Sequence, residues 1–280
     1  MMRVLCLLVA ALTPLAAQEP FCVEKGRPVP CKPAQRQKAA VPRIDPQVSV
    51  ASATRSPWLV SNGWLYRRNP DRKYEIDARE GGAVRAAAEA IAFSGTVLIH
   101  AGQAEAAGLA KLRQAAARLP RVDLPEMADF EFVDDGRAVA GEILNLFARR
   151  NMLARGVAKP SGALPVIRIG DGELTGDLAR NPSEFAYAVR QKLGDDSRSL
   201  RVFGTEMAIV RVLSDGRTAR VHAVNYSDQP LEGVRIRVRG SFTQQAAYAG
   251  DAVEDLVQDN GFTEFTFPEF DVYAVVDLRR

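Results

Sequence analysis

The chain has 280 residues, 37 basic against 34 acidic side chains, a net charge of +3 and a hydrophobic fraction of 47%. So even a charge balance argues against a nucleic-acid partner. The apolar fraction is that of an ordinary globular protein, and the length admits one large domain or two small ones.

The chain opens MMRVLCLLVAALTPLAAQEP. Arg3 supplies a positive charge, Val4 to Leu12 form an apolar run too short to span a bilayer, and Leu15-Ala16-Ala17 offers a cut after Ala17. Residues 1–17 are therefore expected to be a cleavable signal peptide, and the mature protein to be secreted or periplasmic. Cys6 sits inside the apolar run, which argues against a lipoprotein. No later stretch is long and apolar enough for a transmembrane helix. Export leaves Cys22 and Cys31, expected to form one disulfide. Closing so short a loop stabilises by about 2–3 kcal/mol. Two cysteines and two distant histidines make no metal site, and no metal or cofactor is expected.

Residues 18–55 carry Pro20, Pro28, Pro30, Pro33, Pro42 and Pro46 among seven lysines and arginines, with few large apolar residues. That composition reads as a Pro-rich basic linker holding the disulfide. At its edge stand both tryptophans, Trp58 and Trp64, on either side of the turn dipeptide Asn62-Gly63. Exposed, the rings would form a sugar-binding platform; buried, a hydrophobic clamp. Their place at the entry to the globular region favours the clamp.

Residues 56–204 are read as one domain, in which the period switches between helix and strand from about residue 82. Val84, Ala87, Ala88 and Ile91 share a helical face, and Thr96 to His100 is a strand-type run. Leu109, Leu112, Ala116 and Leu119 mark a second helix, Asp129 to Val133 a second strand, and Val139, Ile143, Leu146 and Phe147 a third helix. Leu164 to Ile169 is a third strand. Asn181-Pro182-Ser183-Glu184 is a helix start with N-cap, N1 proline and capping-box glutamate. Phe185, Val189 and Leu193 follow on one face, and Leu200 to Phe203 is a fourth strand. The alternation predicts an α/β domain, a parallel sheet with flanking helices. From 205 to 280 the helical period disappears. About six short strands, of which Val234, Ile236 and Val238 alternating with arginines is the clearest, predict a small antiparallel β-sandwich.

In an open parallel sheet, ligands gather beyond the carboxyl ends of the strands. Those ends carry His100, Asp134 and Asp135, and Asp171 and Glu173, the candidate ligand-binding residues beside Trp58 and Trp64. One imidazole and several carboxylates suit acid–base work. The same residues also read as turns and caps. Gly170, Gly172 and Gly176 lack the GxGxxG spacing, and no GxSxG elbow or core cysteine nucleophile exists, so no catalytic residue is assigned. Arg235, Arg237 and Arg239 line one strand face; the reading favoured is a solvated face paired with acids across the sheet, over a grip on an anionic glycan.

The stretches Val221-His222-Ala223-Val224-Asn225-Tyr226, Gly233 to Phe242, Gly261 to Pro268 and Val272 to Leu278 resemble the small C-terminal β-sandwich of secreted multidomain glycoside hydrolases. The region before them resembles the amidotransferase-like domain of β-galactosidase-type enzymes. The catalytic barrel of such enzymes takes about 250 residues, and only residues 18 to 79 precede the α/β pattern. No catalytic residue of that family is carried over. The resemblance implies a non-catalytic accessory protein binding carbohydrate or a partner protein. Two alternatives stay open: a glycoside hydrolase-related enzyme using the strand-end carboxylates, and a structural envelope protein.

Overall fold

The computed structural model describes residues 19–32, 36–45 and 58–280. The expected signal peptide lies outside them. Five α-helices occur among the described residues: α1 (Gly63–Arg68), α2 (Ala83–Ala92), α3 (Ala106–Arg118), α4 (Ala138–Arg149) and α5 (Pro182–Leu193). The start of α5 follows its local chemistry. Pro182 occupies the first turn, and the Asn181 side chain accepts a hydrogen bond from the Glu184 N–H.

Parallel strand pairs with helical crossovers are present, but in two sheets. Lys73–Ala78 and Thr96–Ala101 run parallel across α2 at the centre of a five-stranded sheet. Phe130–Val133 pairs in parallel with Ala154–Val157 across α4, and with Val166–Ile167 on its other side. The remaining long strands build two four-stranded antiparallel sheets, ordered Leu200–Phe203, Leu231–Arg239, Phe262–Phe270, Glu254–Asp259 and Ala208–Ser214, Thr218–Asn225, Tyr273–Arg279, Gln244–Ala249. Their inward residues, among them Val210, Val221, Val276, Val234, Ile236, Phe265 and Phe267, meet in one core.

Three expectations change. Leu200–Phe203 is not a fourth parallel strand. It pairs antiparallel with Leu231–Arg239, Leu200 opposite Val238, because that register buries Leu200 in the core of the two antiparallel sheets. The segment read as a linker supplies Phe21–Glu24, antiparallel to Thr96–Ala101, with Phe21, Cys22 and Val23 buried and Cys22 bonded to Cys31. Asn62-Gly63 opens α1 instead of a hairpin turn, since the buried Asn62 side chain bonds Ala40 and Glu89.

Helix α2 explains how the parts join. Its alanines at 83, 86, 87, 88, 90 and 92 are buried, so the helix fits between layers on both sides. One core contains these alanines, Tyr74 and Ile76 from the first sheet, and Ile209, Val224 and Val275 from the outer face of an antiparallel sheet. The strand Thr218–Asn225 is accordingly buried on both faces from Ala219 onward. No helix among the described residues is long and apolar enough to cross a membrane.

Candidate functional site

A groove of 720 Å³ opens where the end of α4, one face of α5 and the strand Leu200–Phe203 meet. Helix α5 turns Phe185, Ala186 and Val189 into the core, with the Phe185 ring 6.3 Å from that of Phe132. Ser183, Tyr187 and Arg190, spaced four and three residues apart, lie on its other face and line the groove. On the strand, Leu200 points into the core, so alternation turns Arg201 and Phe203 the other way. Three large apolar side chains are exposed among the described residues, and two of them line this groove: Tyr187 at 55% and Phe203 at 43%.

The polar lining is rich in guanidinium groups. Arg149, Arg150, Arg190, Arg198 and Arg201 face Glu184, Asp195 and Glu206. Arg150 donates to the carbonyl and hydroxyl oxygens of Ser183, at 3.1 and 3.2 Å. Arg198 donates to the carbonyls of Arg150 and Asn151 and to Asp195, at 3.0–3.2 Å. The Asp195 carboxylate also lies 3.6 Å from Arg190. Burial pushes the Arg149 guanidinium down to about 10, Glu142 opposing and Arg150 adding to the shift. Burial lowers Arg150 and Arg198 too, and the charge of Arg190 adds to both. Flat apolar rings beside clustered forked donors make a site for a ligand with both faces and oxygens to offer.

The residues singled out from the sequence stand elsewhere, in separate local pairs. His100 Nε2 is 2.6 Å from Glu75 Oε1 on the adjacent strand of the five-stranded sheet. Asp134 follows a strand of the three-stranded sheet and accepts from two nitrogens of Arg68, both at 2.7 Å, and from the Gly136 N–H. Asp135 pairs with Arg137, whose charge and hydrogen bond hold its carboxyl below the usual range despite burial. Asp171 and Glu173 are exposed on a turn, Asp171 3.9 Å from Arg168. His100 belongs to one sheet and the aspartates to another, so the strand ends do not converge.

Trp64 is half-buried on α1 against the core of Phe130, Phe132 and Phe147, and its indole N–H donates to the Ser61 carbonyl at 3.0 Å. Trp58 has its backbone in a strand paired with Arg43–Asp45; its ring lies outside the described residues. Arg235 and Arg237 pair with Glu264 on the neighbouring strand, and Arg237 and Arg239 lie 4.2 and 4.7 Å over the Phe262 ring. Sequence reasoning missed Tyr187, Arg190, Arg201 and Phe203. The signal for Tyr187 and Arg190 was their position off the apolar stripe of α5.

No protein-family model matches the sequence, and no curated protein sequence matches it. Among solved structures, the chain is similar to α-L-fucosidase isoenzyme 2 from Paenibacillus thiaminolyticus, with a TM-score of 0.56 and 10% identity over 78% of this chain. It spans 62% of that structure. An α-amylase from H. orenii overlays with a TM-score of 0.21 at 9% identity, over 78% of this chain and 56% of the amylase. The family 30 subfamily 8 xylanase Xyn30A from Clostridium acetobutylicum overlays at 0.21 and 6% identity, over 81% of this chain and 74% of the xylanase. The first overlay shows a fold shared with that fucosidase structure. The other two are too loose to carry an argument.

Proposed function

We propose that the chain is an exported, non-catalytic accessory protein that binds carbohydrate in the groove between α5 and the strand Leu200–Phe203. The observation that carries this reading is the pair of exposed rings, Tyr187 and Phe203, on one groove lined by guanidinium donors. Sugars bind proteins through apolar ring faces stacked on aromatics and hydroxyls bonded to polar side chains, and the groove offers both. Its volume lies within the range of ordinary ligand sites. The fold likeness to a fucosidase supports a carbohydrate setting. The Cys22–Cys31 disulfide supports export, as does the signal-like start of the sequence. In this reading residues 56–199 form the α/β unit, and residues 205–280 with the edge strand Leu200–Phe203 form the sandwich that glycoside hydrolases carry as accessories. A binding role fits the strand-end groups, because Asp134 and Asp135 are engaged by arginines instead of facing a shared cavity.

The test is titration of the full chain, and of Tyr187→Ala and Phe203→Ala, against glycans selected on an array. Each ring removed weakens binding by about three- to tenfold, the worth of one aromatic contact, with melting temperatures unchanged. Binding that survives loss of both rings would sink the assignment. One observation favours a rival reading, hydrolysis: Glu184 and Glu206 line the same groove. Release of reducing ends, abolished by Glu184→Gln or Glu206→Gln, would put that reading in its place.

A further inference from the structure

Resting on the reading of the groove as a glycan site, we infer that its ligand is an acidic oligosaccharide: sugar faces lie on Tyr187 and Phe203 while carboxylate or sulfate groups enter the forks of Arg190, Arg150 and Arg198. Five guanidinium groups line the groove against three carboxylates. Buried Arg220 has a carboxylate to itself, meeting Asp277 through two hydrogen bonds of 2.6 and 2.8 Å. In the groove Arg201 meets Asp196 at 2.9 Å, but Arg190 and Arg198 share Asp195, at 3.6 and 3.2 Å. Arg150 spends both terminal nitrogens on Ser183, and Arg198 spends one on two backbone carbonyls. Those bonds fix the side chains in place; Arg150 gains no carboxylate from them, and Arg198 has only the Asp195 that it shares with Arg190.

Holding like charges together away from water is costly unless an anion completes the set. Burial and the charge of Arg190 both disfavour the charged forms of Arg150 and Arg198, which an incoming oxyanion would reverse. A second, independent observation points the same way. Arg198 is only 5% exposed, lines the groove, and its Nε has no hydrogen-bond partner among the described residues. Arg190 supplies the accessible end of the site. Its side chain is 42% exposed and lies 3.6 Å from Asp195, longer than a hydrogen bond. It follows Tyr187 by three residues on the same face of α5, so ring and fork are presented side by side. That juxtaposition matches a sugar whose ring carries an anionic group, and it matches neither a neutral sugar nor a plain acidic peptide.

The experiment is calorimetric titration of the full chain with four probes: oligogalacturonate, a sulfated oligosaccharide, a neutral malto-oligosaccharide and poly-glutamate. Each is measured at about 0.1 M and about 1 M salt, between which the screening length falls from about 10 Å to about 3 Å. At least one acidic glycan binds tenfold or more tightly than the neutral one, and the preference shrinks at high salt. Which of the two acidic glycans binds more tightly assigns the anion. Arg190→Gln removes about tenfold of the preference, as expected for one charge-assisted bond, and weakens the neutral glycan less than the acidic one. Arg190→Lys, which keeps the charge, retains part of it. Tyr187→Ala weakens acidic and neutral glycans alike. Equal affinity for neutral and acidic glycans, or an Arg190→Gln variant that keeps the preference, overturns this inference and leaves glycan binding standing. Poly-glutamate binding as tightly as the acidic glycans also overturns it, since charge alone would then suffice. No binding to any glycan sinks both.

Discussion

Glu89 gives the molecule a pH-dependent stability whose sign and size follow from its surroundings. The side chain is fully buried on α2. One carboxyl oxygen accepts from the Asn62 backbone N–H at 2.8 Å and the Tyr226 hydroxyl at 2.5 Å, and the other from the Asn62 side-chain amide at 3.1 Å. Burial pushes its pKa from 4.5 up to about 7, the hydrogen bonds pulling only part of the way back. Between those values the folded chain keeps a proton that the unfolded chain has released. The group's stabilisation is therefore fully present below about pH 4.5 and lost as pH rises through about 7. At about 1.4 kcal/mol per tenfold, the whole effect is on the order of 3 kcal/mol, and about 2–3 kcal/mol of it falls between about pH 5 and pH 8. Urea unfolding of the parent and of Glu89→Gln at those two pH values isolates it. The amide keeps an acceptor for Asn62 and Tyr226 but cannot titrate, so its own cost is the same at both. The parent should lose about 2–3 kcal/mol relative to the variant on going to the higher pH. A parent–variant difference that stays level, or widens in the parent's favour, would refute the account.

Two further substitutions test the packing. A Cβ at Gly141 would lie 2.6 Å from Arg68 Nη1 and 2.9 Å from the Trp64 ring, and Arg68 is held by Asp134, so Gly141→Ala should cost about 1–3 kcal/mol, read as a lower urea midpoint at unchanged slope. Asp277→Ala leaves the Arg220 guanidinium buried without its carboxylate on the outer face of an antiparallel sheet and should cost about 3–5 kcal/mol, seen as a large drop in melting temperature; a melt within a degree or so of the parent would contradict the buried pair.

How much of the fold was legible depended on how local each signal is. Helix α5 could be read closely because its cap, its proline and its capping-box glutamate sit within four consecutive residues. Helices α2, α3 and α4 declared themselves through a 3.6-residue apolar period. Strand pairing has no such local mark. Leu200–Phe203 is four residues long, and a run that short reads alike for a parallel and an antiparallel partner. Its true neighbour, Leu231–Arg239, lies beyond two other strands in the sequence. Phe21–Glu24 was hidden by averaging: three buried residues disappear in the composition of a proline-rich segment, yet they pair with a central strand.

The site was harder to read than the fold, and for a related reason. The rule that sends ligands to the carboxyl ends of parallel strands assumes one sheet whose strands end together. Here the parallel strands divide between two sheets, so His100 and the aspartates end in different places and each meets a local partner. The groove instead forms where a helix of the α/β part meets the edge strand of an antiparallel sheet. Phe203 illustrates why no one-dimensional pattern finds it. In sequence it closes the short strand Leu200-Arg201-Val202-Phe203, which does not by itself say which face meets a core. Only the register, which sets Phe203 opposite Arg235 and Leu200 opposite Val238, turns Leu200 inward and leaves the Phe203 ring on the outer face. A one-residue slip of that strand would bury Phe203, expose Leu200 and remove Arg201 from the groove, so the ligand site and the strand register stand or fall together.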